Sequence, residues 1–235
     1  MNKADINGKW ALVTGASRGI GQQVSLGLAQ YGCNLVLHSR NLEHTASLAK
    51  ELISSGIQVY QVATELSDQQ AVDKLAKKAQ DFSGGIDILY NNAAVMPPFR
   101  SNWLKVPPDD FRLGFEINVI TLVRLCHLLI PNMIDKHWGR IVNVSSGITN
   151  QPELIAYALT KAAVDKFVKD SVVRLKSTGV LMNLLDPGWL RTDMGGINAP
   201  NSVESVLPGA LVPVLLNDET SGVLFHAQDY VNQVI

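Results

Sequence analysis

The chain has 235 residues, of which 46% are hydrophobic and 17% are charged. A chain of this length and composition buries most of its apolar surface, which excludes an extended disordered protein and favours one globular domain over residues 1–235. Twenty Lys and Arg residues against 21 Asp and Glu residues give a net charge of −1. Because this balance provides no overall positive potential, it argues against electrostatic binding to nucleic acid or to an anionic membrane. We therefore expect a small-molecule partner.

The cysteines and the apolar stretches of the chain bear on its compartment. Cys33 and Cys126 are the only cysteines. Neither lies in a CxxC pair or near histidines at ligand spacing, so we expect neither a disulfide framework nor a metal site. Residues 1–10 lack the apolar core of a signal peptide, and the most apolar stretch, residues 119–130, contains Arg124 and is too short to span a bilayer. These features predict a cytoplasmic protein without a membrane partner.

Short aliphatic runs alternate with longer helical patterns along the chain, as is typical of βαβ units. The predicted strands cover residues 10–14, 34–38, 58–62, 86–91, 140–145, 180–186 and 222–225. The predicted helices cover residues 19–31, 43–54, 68–82, 109–136 and 156–178. Continuous apolar strands indicate burial on both faces, which predicts an α/β fold with one doubly wound, Rossmann-type parallel sheet of about seven strands and helices on both faces. Beyond Thr192, glycines and prolines predict a mobile loop and an irregular helix.

A glycine-rich turn joins the first predicted strand to the first predicted helix. The turn reads Thr-Gly-Ala-Ser-Arg-Gly-Ile-Gly, and its candidate nucleotide-binding residues are Gly15, Ser17, Arg18, Gly19, Ile20 and Gly21. Glycines at these positions allow a tight turn and close backbone approach, and the helix N-terminus offers N–H groups to a pyrophosphate. An ordinary strand-to-helix turn is the alternative, because a glycine motif alone is a weak signal.

The end of the second predicted strand bears on the choice between NAD and NADP. The chain reads His38-Ser39-Arg40 there, without the acidic residue that binds the ribose 2′-hydroxyl of NAD. Arg40 and Ser39 suit a 2′-phosphate, and Arg18 in the glycine turn adds a second cation. Either arginine alone could be a solvated surface charge, but together they favour NADP(H) over NAD(H).

Tyr157 and Lys161 lie four residues apart near the start of a predicted helix. Residues at this spacing are neighbours on one helix face. An ammonium group near a phenol lowers the phenol pKa, which would make Tyr157 a usable acid and base. The alternative is an ordinary amphipathic helix with a half-buried tyrosine and a surface lysine.

The order of these motifs along the chain is more specific than any one of them. The glycine turn is followed by Asn91-Asn92-Ala93-Ala94 after the fourth strand, by Ser145-Ser146 after the fifth, and then by Tyr157 and Lys161. In this order, over about residues 9–194, the chain resembles the classical short-chain dehydrogenase/reductase family. The resemblance implies a single Rossmann-type domain in which an Asn, Ser, Tyr and Lys set catalyses the reaction.

The resemblance implies a role for each member of that set. Tyr157 would donate a proton to a substrate carbonyl, and the Ser146 hydroxyl would orient and polarise that carbonyl. Lys161 would hold the nicotinamide ribose and depress the tyrosine pKa. Asn118 would anchor a water molecule that leads to the lysine. Ser146 lies about two residues closer to Tyr157 than is common in the family, so Ser145 is the fallback.

The resemblance also implies further cofactor contacts and an assembly. Asn92 and Ala93 would line the adenosine ribose, and a later stretch would hold the nicotinamide carboxamide; that stretch comprises Pro187, Gly188 and Thr192. Thr192 could equally be a turn residue. Glu65 and Leu66 stand where the family contacts adenine, with Asp68 as an alternative acid. We expect a homodimer or homotetramer, although the C-terminus is atypical for tetrameric members.

These observations predict an NADP-dependent oxidoreductase that moves a hydride between nicotinamide and a carbonyl or alcohol substrate of the ketone, aldehyde or 3-oxoacyl type. A short lid at about residues 190–203 would cover the substrate, and Trp103 and Trp189 would either line its pocket or pack in the core. One alternative is a non-catalytic nucleotide-binding regulator or sensor on the same fold. Another is an epimerase or dehydratase that reuses a bound cofactor.

Overall fold

The computed structural model describes residues 3–234, which form one seven-stranded sheet in which all paired strands are parallel. The strands are β1 (Trp10–Val13), β2 (Asn34–Ser39), β3 (Val59–Ala63), β4 (Ile88–Asn91), β5 (Gly139–Val144), β6 (Val180–Asp186) and β7 (Leu224–His226). Their spatial order is β3-β2-β1-β4-β5-β6-β7. The order reverses direction at β1 and β4, and in open α/β sheets ligands bind at such a switch point. The predicted fold class is confirmed.

Seven α-helices accompany the strands in the described part of the chain. They are α1 (Gly19–Gln30), α2 (Glu43–Ser54), α3 (Gln69–Ser83), α4 (Pro108–Phe115), α5 (Thr121–Asp135), α6 (Ile155–Leu175) and α7 (Val212–Leu215). Helices α1, α2 and α7 pack on one face of the sheet, and α3, α5 and α6 pack on the other. The strands are therefore buried on both faces, which explains their continuous apolar sequence.

The helix predicted over residues 109–136 contains an interruption that its apolar pattern does not show. A π-helical turn at Glu116–Ile120 joins α4 to α5, so the helical run extends without a break from Pro108 to Asp135. This 28-residue run is apolar enough and long enough to cross a bilayer by those two criteria. The expectation that this region is too short was therefore wrong. Leu125, Leu129 and Met133 of the run are fully buried against the sheet.

The region after Thr192 contains short turns in place of a regular helix. A 3₁₀ turn at Val203–Val206 and another at Gly209–Leu211 lead into the single-turn α7. The side chains from Ala210 to Leu216 are buried in the core beside α1. The last strand begins at Leu224, two residues later than predicted, because Gly222 has a φ of +80° and cannot belong to an extended strand.

Candidate active site

The glycine-rich turn brings the backbone of β1 against the first turn of α1. Gly15 and Gly19 have φ values of +66° and +60°, a region that favours glycine. A methyl group on Gly21 would overlap the Gly15 carbonyl oxygen and lie 2.7 Å from the Asn92 amide nitrogen. The predicted close approach is present, and the N-terminus of α1 faces outward from the carboxyl edge of the sheet. Such an N-terminus suits a pyrophosphate.

Two side chains hold this turn in place, in roles that the local sequence does not indicate. The Nδ1 atom of buried His38 accepts a hydrogen bond of 3.1 Å from the Gly15 N–H, and its Nε2–H donates to the Thr64 carbonyl at 3.0 Å. Burial lowers the pKa of His38 below its ordinary value of 6.5, in keeping with this neutral ring. The Asn92 amide donates to the carbonyls of Thr14 and Gly15. Asn92 therefore supports the glycine turn from β4.

The two arginines proposed for a 2′-phosphate differ in their partners. Arg40 is exposed just after β2. Arg18 forms an ion pair of 2.9 Å with Asp193 of the predicted lid. The Ser39 hydroxyl donates to the Asn41 carbonyl at 2.6 Å, so in this arrangement Ser39 stabilises the turn after β2.

The three residues considered for adenine lie at the end of β3. Glu65 is exposed and its carboxylate accepts the Ser67 N–H, whereas Leu66 is buried. Asp68 caps the N-terminus of α3, where its carboxylate accepts the N–H groups of Gln70 and Ala71. Asp68 thus has a structural role as a helix cap. Glu65 retains a carboxylate that faces solvent.

The predicted catalytic residues come together where β5 and α6 meet. The Ser146 hydroxyl lies close enough to the Tyr157 phenol to act on its pKa, which it lowers. The Lys161 ammonium is buried, lies 5.5 Å from the centre of the Tyr157 ring and donates to the Val144 carbonyl at 2.7 Å. The phenol and the ammonium are therefore neighbours in the interior, and the interpretation of Lys161 as a surface residue is wrong.

The ionisation of this pair differs from the sequence-based expectation. Burial raises the pKa of Tyr157 to about 12, and this effect exceeds the opposing effect of the nearby Ser146 hydroxyl. The charge of Asp186 raises the pKa further. Burial lowers the pKa of Lys161 to about 8, against the charge of Asp165, which raises it. The expected depression of the tyrosine pKa was therefore wrong for this structure. Desolvation dominates at this phenol, and Tyr157 stays neutral at neutral pH.

The structure favours Ser146 over Ser145 as the catalytic serine. The Ser145 side chain is buried, and its hydroxyl donates to the Asp165 carboxylate of α6 at 2.5 Å. The Ser146 hydroxyl is on the side of Tyr157, and it also accepts the Ile148 N–H at 3.3 Å. Asp165 therefore fixes which of the two neighbouring hydroxyls is available to a substrate.

Asn118 lies in the π-helical turn, and its side chain is occupied by protein partners. Its Oδ1 accepts the Val95 N–H at 2.8 Å, and its Nδ2 donates to the Val95 carbonyl and to the Thr160 hydroxyl. The Thr160 hydroxyl in turn donates to the Tyr157 carbonyl. Asn118 thus ties the loop after β4 to the helix that carries the tyrosine. Single π turns are frequent at functional sites.

The stretch after β6 carries the predicted carboxamide contacts and the lid. Gly188 has a φ of +80°, and Pro187 accepts a hydrogen bond from Gln228. The Thr192 hydroxyl accepts the Gly195 N–H, so Thr192 is a turn residue, while a methyl group on Gly19 would lie 3.5 Å from its side chain. The lid contacts the glycine turn through the ion pair between Arg18 and Asp193.

The two tryptophans considered for a substrate pocket are both exposed and lie outside the core. Trp189 lies in the predicted lid region, where its indole N–H donates to the Gly195 carbonyl at 2.7 Å. Trp103 belongs to a short 3₁₀ turn in the segment between β4 and α4. The alternative that these side chains pack in the core is wrong.

The sequence of this chain matches a family of known enzymes that agrees with the arrangement of Ser146, Tyr157 and Lys161. A family model described as short chain dehydrogenase matches residues 9–201. The chain belongs to the short chain dehydrogenase family. Oxidoreductase UcpA of Escherichia coli K12 is 35% identical over 209 residues, which cover 86% of this chain and 78% of that protein. Membership makes the protein an oxidoreductase of the type that acts on CH–OH or C=O groups.

Solved short chain dehydrogenase structures share the whole fold. A 7α-hydroxysteroid dehydrogenase complexed with NADH and 7-oxo glycochenodeoxycholic acid superposes with a TM-score of 0.84 at 25% identity, covering 94% of this chain and 93% of its own. A 3-oxoacyl (acyl-carrier-protein) reductase from Agrobacterium tumefaciens C58 with NADP bound superposes with a TM-score of 0.83 at 27% identity and the same coverage. One of these structures thus holds NADH and the other NADP, so the shared fold alone does not decide which dinucleotide this chain binds.

The donor set of the site fits a dinucleotide. The close-approach glycines, the N-terminus of α1 and the supporting Asn92 form a cradle for a pyrophosphate, and the end of β2 presents Arg40 without a carboxylate. Within residues 3–234, no group of three or more His, Cys, Asp or Glu side chains is placed to hold a metal ion.

Proposed function

We propose that this protein is an NADP-dependent reductase of carbonyl compounds of the ketone, aldehyde or 3-oxoacyl type. The observation that carries the proposal is the neutral Tyr157 phenol, which lies near the Ser146 hydroxyl and neighbours the buried Lys161 ammonium. A silent nucleotide-binding relative has no physical need for this complete arrangement. The catalytic function is therefore favoured over a regulatory one.

The cofactor proposal rests on the residues around the nucleotide cradle. Gly15, Gly19 and Gly21 would admit the pyrophosphate, and the first-turn N–H groups of α1 would bind it, with Ser17 and Ile20 in the same turn. Arg40 would pair with a 2′-phosphate, as a guanidinium does with two oxygens at once. The nicotinamide supplies the hydride when the cofactor is bound.

The remaining contacts follow the carboxyl edge of the sheet. Ala93 and Leu66 would line the adenosine, and Glu65 would reach it from the end of β3. Pro187, Gly188 and Thr192 would border the nicotinamide. Trp189, exposed in the lid region, gives the substrate side an apolar surface.

The protein residues divide the remaining chemistry between them. Tyr157 donates its proton to the carbonyl oxygen as negative charge develops there, and the Ser146 hydroxyl stabilises that charge. The Lys161 ammonium stays beneath the phenol and favours its anion after the proton has left. Asn118 holds the loop after β4 against α6 and so positions the tyrosine.

The ionisation of the phenol supports reduction as the main direction. A tyrosine with a pKa of about 12 is protonated at neutral pH, and a protonated acid is the form that carbonyl reduction needs. Alcohol oxidation needs the phenolate, so its rate should increase with pH.

We further propose a cytoplasmic homodimer or homotetramer. The outer face of α5 carries an open groove of about 520 Å³, lined by Gln69, Val119, Ile120, Val123, Arg124 and His127. An apolar groove rimmed by polar groups suits a second copy of the chain. Cys33 and Cys126 are buried free thiols, and unpaired cysteines suit a reducing compartment.

Substitution of the tyrosine tests the proposed reaction. We expect Tyr157→Phe to lower kcat for NADPH-dependent ketone reduction by about 10²–10⁴-fold, the usual effect of losing a general acid, while NADPH binding is retained. The measurement is NADPH oxidation with a panel of ketones and aldehydes.

Tyr60→Phe is the matched control, because Tyr60 stacks on Phe82 at the β3 edge of the sheet, away from β5 and α6. Near-normal turnover by Tyr157→Phe would contradict the proposal. Tight NADPH binding by the wild-type protein without oxidation would favour a silent regulator, and product formation without net NADPH consumption would favour an epimerase or dehydratase.

A further inference from the structure

An acidic side chain that the reaction does not use lies at the substrate side of the site. Asp186 is the last residue of β6, and its side chain is 15% exposed. Its Oδ1 accepts the Gly188 N–H at 2.9 Å, and its Oδ2 lies 3.3 Å from Nδ1 of His226. The carboxylate is thus held in one orientation by the backbone of the following turn.

This carboxylate lies next to the residue that follows Ser146, and its charge reaches Tyr157. A methyl group on Gly147, the residue after Ser146, would come within 2.7 Å of Asp186 Oδ2. The charge of Asp186 also acts on Tyr157, whose pKa it raises. Four elements therefore meet at this point: the end of β5, the first turn of α6, the end of β6 and the end of β7.

The cationic groups nearby are poorly placed to neutralise Asp186. The Lys161 ammonium donates to the Val144 carbonyl beneath Tyr157, and Arg18 is paired with Asp193 of the lid. His226 contacts the carboxylate but is half exposed, and its ring carries a positive charge only when protonated. A second carboxylate brought to Ser146 and Tyr157 would therefore meet a like charge in a partly desolvated site.

We propose that Asp186 is a specificity-determining residue that selects uncharged carbonyl substrates and rejects those with a carboxylate close to the reacting carbonyl. This inference rests on the proposed function, because it assumes that the carbonyl binds at Ser146 and Tyr157. The class selected comprises neutral ketones, aldehydes, esters and amides of 3-oxo acids, and the class rejected comprises the free 3-oxo acids.

The test compares acetoacetate with acetoacetamide, which are similar in shape and differ in charge. We expect wild-type protein to prefer the amide in kcat/KM by at least about tenfold, the effect of one like charge several ångströms away in a partly solvated site. Asp186→Asn keeps an oxygen acceptor for the Gly188 N–H and removes the charge. We expect it to bring the ratio near one, mainly by improving KM for acetoacetate.

Two further variants make the result specific. Asp229→Asn removes an exposed acid from the turn after β7, and we expect it to leave the ratio unchanged. His226→Gln removes the ring that contacts the carboxylate, and we expect it to preserve or strengthen the discrimination. Equal ratios in wild-type protein and Asp186→Asn, or wild-type preference for acetoacetate, would overturn the proposal.

Binding separates this inference from the proposed reaction. The dissociation constants of both compounds are measured calorimetrically on protein saturated with NADP⁺, where no turnover is required. The amide should again bind about tenfold tighter to the wild type and equally well to Asp186→Asn. Such a result without NADPH oxidation would contradict the proposed reductase while supporting the role of Asp186, whereas binding of neither compound would overturn the inference.

Discussion

Arg40 and Arg18 illustrate how the setting of a residue determines what it is free to bind. Both flank the site where a 2′-phosphate would lie, but Arg18 is paired with Asp193 while Arg40 is exposed at the end of β2. An exposed ion pair contributes little stability and exchanges easily, so Arg18 can also turn to an anion. Arg40 should nevertheless carry most of the discrimination between the two dinucleotides.

Arg40→Ser should therefore weaken NADPH binding by roughly 10–100-fold, the range expected for loss of one charge-assisted contact, while NADH binding changes little. Fluorescence titration of both dinucleotides measures the effect. Arg112→Ser, at an exposed position on α4, serves as the control for loss of a surface charge. Equal losses for NADPH and NADH would show that Arg40 does not contact a 2′-phosphate.

Single residues also mark how far the sequence could predict the site. The spacing of Tyr157 and Lys161 predicted their adjacency, because four residues make one helical turn. The choice between Ser145 and Ser146 depended on Asp165, which lies twenty residues later and is brought to Ser145 only by the packing of α6 on β5. The sign of the tyrosine pKa shift depended on burial, which spacing does not reveal.

At the level of elements, the glycine turn depends on its neighbours for its shape. His38 sits at the end of β2 and joins the turn after β1 to the end of β3 through its two ring nitrogens. The sequence predicted a nucleotide turn here from its glycines, but it gave no indication that this histidine supports the turn. A bridge among three elements depends on strand order, which local sequence does not contain.

The buried His38 ring should make stability depend on pH. Its pKa is lowered in the folded chain, so as the pH falls below about 6.5 the unfolded chain binds a proton that the folded chain does not, and stability decreases. Above that pH both states are neutral at this residue and the effect vanishes. The free energy of unfolding, measured by urea titration between pH 5 and 8, reports this slope.

His38→Asn should reduce the pH dependence and lower stability at pH 7.5 by about 1–3 kcal/mol, because the Thr64 carbonyl loses its donor. His44→Asn, at an exposed position on α2, should keep the wild-type slope. If His38→Asn and wild-type protein lose stability in parallel on acidification, the ring is not held neutral by the fold.

At the level of the whole molecule, the architecture followed from a pattern that extends over the entire chain. Alternating apolar strands and helices predicted the parallel sheet, and most element ends lie within three residues of their predicted positions. The prediction failed at the π turn in Glu116–Ile120, and for the region before β7 it gave only a loop and an irregular helix, without the individual short turns. The π turn positions Asn118, and the short turns before β7 cover the core beside α1. Both features are therefore determined by tertiary contacts, which a periodic pattern does not contain.

The outer surface of the molecule carries exposed isoleucines on both faces of the sheet, and one of them lies beside the groove on α5. Ile120 is 46% exposed beside the groove on α5, and Ile53 is 56% exposed on α2, on the other face of the sheet. An interface needs a continuous apolar surface of sufficient area, and we expect the groove around Ile120 to lie at its centre. A lysine at its centre would be buried without a partner in the assembly.

We therefore expect wild-type protein to sediment as at least a dimer of the 25.6 kDa chain, and Ile120→Lys to sediment as a monomer. Ile53→Lys places the same charge on the other face and should leave the assembly intact. Analytical ultracentrifugation over a range of concentrations measures all three proteins. A monomeric wild type, or an unchanged mass for Ile120→Lys, would exclude the α5 face as the interface and leave the exposed isoleucine as an isolated surface residue of the kind that soluble proteins tolerate.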